Sequence, residues 1–107
     1  MTSLQTALAE ASSPSFSRRV RAGRDLAPFA EVPEAAEALA GLLLDTEDMA
    51  VIRQTAEALA RLGTETARRL IADAMAKADD TQADWLQTGI DDTLTDPDGP
   101  DLVRPAR

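Results

Sequence analysis

Cysteine and histidine are both missing from the 107 residues. The first absence excludes disulfides, thiolate nucleophiles and cysteine-bound metal. The second removes the commonest general base and, with it, the usual zinc-ligand sets. Carboxylates, hydroxyls and guanidinium groups are what chiefly remains for chemistry, so a non-catalytic protein with no cofactor and no metal site is expected. Tyrosine is missing too, and aromatic residues make up 3% of a chain that is 44% apolar. The core of one small domain must then be built from Ala, Leu, Ile and Val, an inventory suited to closely packed helices. No stretch approaches the roughly 20 apolar residues of a membrane span. The opening residues, MTSLQTALAEASSP, hold neither a basic segment nor a long apolar one, which leads to the expectation of a cytoplasmic protein.

Positive charge is scarce: 11 Lys and Arg stand against 19 Asp and Glu, for a net charge of -8. Such a surface does not favour the phosphate backbone of nucleic acids. It favours another protein as partner, one with a basic surface in particular. The basic residues are also unevenly placed, with Arg18, Arg19, Arg21 and Arg24 close together and acids dominating afterwards. Either these arginines simply solvate a helix face, or they give the surface two ends of opposite sign.

What the chain does contain is helical periodicity. In VIRQTAEALARLG, residues 51 to 63, Val51, Ile52, Thr55, Ala56, Leu59 and Leu62 recur at the spacing of an amphipathic helix. Glu57 and Arg61 form an i, i+4 pair on the other side. Asp48 is placed to cap the first turn, and Gly63 to close the last one in a left-handed conformation. Thr64 can cap the next helix, whose apolar side carries Ala67, Leu70, Ile71, Ala74, Met75 and Ala78. So short a turn makes the two helices antiparallel neighbours. Extended along the chain, the pattern predicts helices at about 3–11, 16–29, 33–44, 49–62, 65–77 and 82–94. Pro33 suits a first helical position, and Pro28 should end or bend the second helix. The remaining TDPDGPDLVRPAR has no period and reads as a flexible acidic tail, 95–107, outside a helical domain of residues 1–94.

The helices repeat. Ser15, Asp48 and Thr81 are potential N-caps about 33 residues apart, and that shift superposes Gly23, Ala56 and Gly89, then Leu26 on Leu59, Phe29 on Leu62 and Ile52 on Trp85. The fullest copy holds Asp45, Val51, Ile52, Arg53, Ala56, Ala58, Leu59, Leu62 and Gly63, followed by Leu70, Ile71 and Met75. An earlier copy holds Val20, Arg21, Leu26 and Phe29, then Leu39, Leu42 and Leu43. In a third, Asp92 and Thr95 stand where leucines are expected.

This order of turn aspartate, capped start, aliphatic–arginine pair, small residues and closing leucine resembles the HEAT repeat, especially its short bacterial form. The resemblance spans about residues 14 to 94. It implies an all-α fold, a short right-handed α-solenoid of about six antiparallel helices, with roughly two full repeats plus capping helices. The polar third copy would serve as a terminal cap. It further implies that second helices line a concave surface for a partner, with Glu34, Glu37, Gly41, Arg69, Asp73 and Lys77 as candidate partner-binding residues. In the family the arginine of the pair braces a turn aspartate, which gives Arg53 the candidates Asp45 and Asp80.

The function expected on these grounds is a protein-binding adaptor or regulatory scaffold, with an inhibitor or immunity protein for a basic partner as one form of it. Two alternatives stay open. Some proteins similar to this repeat form are bilin lyases or alkylpurine DNA glycosylases, but the carry-over fails on length, acidity and the missing tyrosine. The other is a self-assembling module, in which a homodimer covers an apolar end beside helix 3–11. Trp85, the single tryptophan, is expected to face the preceding helices rather than serve as an exposed anchor. The acid pairs Asp79–Asp80 and Asp91–Asp92 lack the alternating oxygen pattern of a calcium loop.

Overall fold

The computed structural model describes residues 3–94. Their regular structure is helical, with no strand among the described residues: α1 (Ser3–Glu10), α2 (Phe16–Leu26), a 3-10 turn (Ala27–Phe29), α3 (Pro33–Leu42), α4 (Met49–Leu62), α5 (Glu65–Lys77) and α6 (Asp80–Leu94). The segment 95–107, expected to be a tail, lies outside the described residues.

Local chemistry accounts for most of these limits. Ser15, Asp48 and Thr64 accept hydrogen bonds from the amides of Arg18 (3.4 Å), Ala50 (2.8 Å) and Ala67 (3.1 Å), satisfying donors that a first helical turn leaves orphaned. Gly63 ends α4 at φ 70°, the left-handed region where a side chain is costly. Pro28 acts as expected: the α-helix stops at Leu26 and the chain tightens into the 3-10 turn. The last helix departs from expectation. It begins at Asp80, and its cap is Asp79 rather than Thr81. The Asp79 carboxylate accepts from Gln82 N at 2.7 Å while Gln82 Oε1 accepts from Asp79 N at 2.9 Å. This reciprocal capping box satisfies two amides, which a lone threonine cannot do.

Packing centres on α4, whose Val51, Ile52, Thr55, Ala56 and Leu59 are buried. Its most extensive contacts are with α6, followed by α2. Two glycines set those distances. A Cβ on Gly23 of α2 would overlap the Thr55 hydroxyl, and one on Gly89 of α6 would overlap the Arg53 carbonyl oxygen. Thr55 and Ala56 point about 100° apart on the helix, so α2 and α6 lie against different sides of α4. Gly23 and Gly89 thus both approach α4 closely, Gly23 at Thr55 and Gly89 at Arg53 and Ala56. The Thr55 hydroxyl is fully enclosed and has no hydrogen-bond partner among the described residues. Leu26, Leu39, Leu43 and Leu86 complete the core, with α1 covering α2 and α3 through Ala7, Leu4 and Leu8.

Two apolar positions differ from the periodic reading. Leu62, the last residue of α4, is 40% exposed and lines an open groove beside Ala27 and Pro28. On α5 only Ala67 and Ala74 are buried, while Leu70, Ile71 and Met75 pack against the edge of the core. Trp85 is half-buried against the same core. Its fluorescence maximum is expected well to the blue of free tryptophan and should move red on unfolding in urea. An emission already at the position of free tryptophan in the native protein would contradict this placement.

Candidate functional site

The candidate partner-binding residues occupy two helices. On α3, Ala35, Leu39 and Leu42 are buried, so the helical period turns Glu34, Glu37 and Gly41 outward, and all three are exposed. On α5, burial of Ala67 and Ala74 leaves Arg69, Asp73 and Lys77 exposed in the same way. The two helices touch. Arg69 pairs with Glu65 at 3.3 Å, but both side chains are well exposed, and such a pair is worth little.

A groove of about 380 Å³ between α1 and α3 takes in Glu37 and Gly41. Leu8, Ala11, Ala38 and Leu42 give it an apolar lining, and Ser12 and Asp45 add polar atoms. Gly41 contributes space, since a Cβ built there meets nothing within 4 Å. Glu34, Arg69, Asp73 and Lys77 do not line this groove.

Beside the groove lies an ion pair that the sequence reading missed. Arg19 is buried, and its Nε donates to Asp45 Oδ1 at 3.0 Å while its Nη1 donates to the Ser13 carbonyl at 2.8 Å. Asp45 in turn accepts from the amides of Glu47 (3.1 Å) and Asp48 (2.8 Å). One guanidinium therefore ties the α1–α2 turn to the α3–α4 turn and fixes two sides of the groove. The resemblance gave a turn aspartate, Asp45 or Asp80, to Arg53; Asp45 is braced by Arg19 on α2. Arg53 instead reaches Asp92 on α6 at 2.7 Å. The missed signal is a position: Arg19, Ala22, Gly23 and Leu26 follow the i, i+3, i+4, i+7 spacing and are the buried residues of α2. An arginine on that stripe is a core residue, which removes it from the cluster of surface arginines.

The acids have ordinary tasks. Asp45 is committed to Arg19 and two amides, Asp79 caps α6, Asp92 meets Arg53, and Asp91 accepts from Gln87 at 3.0 Å. Among the described residues, no group of three acids is arranged to hold a metal ion, and no helix is long and apolar enough to cross a membrane. Compared with family models, curated proteins and solved structures, the chain matches none of them.

Proposed function

We propose that this chain is a non-catalytic protein-binding module, a short right-handed HEAT-like stack of antiparallel helix pairs that receives a basic segment of another protein. Support for the stack comes from the two glycine approaches, which join α2 and α6 to α4 at repeat-equivalent positions. The observation that carries the binding reading is the α1–α3 groove. Its floor is apolar, Glu37 stands exposed at its wall, and Gly41 leaves room for a side chain from outside. A lysine or arginine lying over Leu8 and Leu42 would rest its methylene stem on that floor and bring its charge to Glu37. The net charge of -8 would draw such a partner toward the surface.

Filling the groove tests this directly. Gly41→Trp places a large ring in open space on an exposed helix position, so the thermal unfolding curve should stay close to that of the unmodified protein. Partner recovered by co-purification from native lysate should fall about tenfold, as expected for loss of a central contact. Glu37→Lys should act in the same direction. Undiminished recovery with both variants would remove the groove as the binding site.

A further inference from the structure

A second groove, which shares no lining residue with the first, has the opposite chemistry. It lies between α2 with its 3-10 turn and the outer side of α4, and encloses about 470 Å³. Ala27, Pro28, Ala58 and Leu62 form an apolar floor, with Arg24 and Arg61 beside it. Leu62 is one of the few large apolar side chains left open to solvent. Arg61 is shared with Glu57, at 2.8 Å. Arg24 is exposed and has no side-chain partner among the described residues. Arg21 stands one turn earlier on α2, at the i, i+3 spacing that brings it near Arg24. With Arg19 buried, Arg18, Arg21 and Arg24 are the exposed remainder of the basic cluster, Arg21 lying 3.7 Å from Glu10.

We propose that this groove docks an acidic peptide segment of a second protein, with carboxylates meeting Arg24 and Arg61 and one aliphatic side chain covering Leu62. Charge complementarity selects the occupant. In a chain of net charge -8, two arginines flank an apolar floor that holds one acid, Glu57, already paired. The overall negative charge does not prevent such docking at physiological salt, where screening over about 8 Å leaves close pairs to decide. A basic occupant would set its cations against Arg24. The module then has two grooves of opposite sign, and the two sites bind independently.

The test is fluorescence anisotropy on the full chain in 0.15 M salt, with a labelled ten-residue peptide alternating Glu and Leu as the probe. Binding is expected to saturate, to weaken about tenfold in Arg24→Glu and several-fold in Leu62→Ser, and to stay unchanged in Gly41→Trp, which alters only the other groove. Arg24 and Leu62 are exposed, so both variants should keep the native circular dichroism; Arg24→Gln, which removes charge without reversing it, is the second variant should Arg24→Glu fail to fold. The proposal is overturned if the probe does not bind, if Arg24→Glu and Arg24→Gln both bind it as tightly as the unmodified chain, or if a labelled Lys–Leu peptide binds Gly41→Trp, whose other groove is filled, as tightly as the probe does. Displacement of the probe by a single-stranded oligonucleotide more readily than by unlabelled peptide would also overturn it, by assigning the arginines to phosphate.

Discussion

Arg19→Ala is expected to lower the unfolding free energy by about 3–5 kcal/mol, the usual cost of removing one partner from a buried ion pair. Its side chain is 7% exposed and that of Asp45 11%, so the aspartate left behind could not recover its hydration. The loss extends beyond the pair. Arg19 also supplies the Ser13 carbonyl with a donor, and it holds in place the carboxylate that accepts from the Glu47 and Asp48 amides at the entry to α4. Small domains are stable by about 5–15 kcal/mol, so this one change should shift the urea midpoint by a large part of its value. Arg53→Ala supplies the comparison. That pair has a shorter contact, 2.7 Å, but each side chain is 32% exposed, and water can replace the lost partner, so about 1 kcal/mol or less is expected. Equal midpoint shifts for the two variants would mean that burial does not separate them, and the account of Arg19 as a core bracket would fail.

The contrast between these two arginines also shows where the sequence was legible. Helix limits at Ser15, Asp48, Gly63 and Thr64 depend on residues within a turn of one another, and local chemistry decides them. The all-helical class follows from the apolar period over the same short range. Partner choice does not. Arg19 and Asp45 are 26 residues apart, Arg53 and Asp92 are 39 apart, and only the placing of α2 and α6 on different sides of α4 determines which acid each guanidinium meets. The repeat resemblance offered Arg53 the acids at 45 and 80, and the first of these is taken by an arginine on the buried stripe. Grooves are less legible still. Glu37 and Gly41 are exposed by period alone, yet their place in a groove with Leu8 and Ala11 depends on where α1 lies. Leu62 obeys the apolar period and still faces solvent, because period specifies the side of a helix and not what packs against it.

Gly89→Ala should destabilise the protein by about 1–3 kcal/mol, at the upper end of what overpacking costs, although alanine is the better helix former by about 1 kcal/mol. The obstacle is backbone. The added methyl would overlap the Arg53 carbonyl oxygen and come within 2.9 Å of the Ala56 Cβ, and neither can rotate away. Helices α4 and α6 share the most extensive contact in the fold, so separating them would loosen the packing around Leu86 and lengthen the Arg53–Asp92 pair. Two other glycines calibrate the effect. Gly41→Ala enters open space and should raise the melting temperature slightly through helix propensity. Gly23→Ala meets only the Thr55 side chain, so Thr55→Ala should restore much of its loss. No such partner exists for Gly89, because Ala56→Gly leaves the Arg53 carbonyl in place. At roughly 4–8 °C per kcal/mol for a domain near this size, melting curves should rank the singles as Gly41→Ala highest and Gly89→Ala lowest, with Gly23→Ala rescued in the double variant. A Gly89→Ala protein that melts with the unmodified chain would show that α4 and α6 do not approach as closely as described.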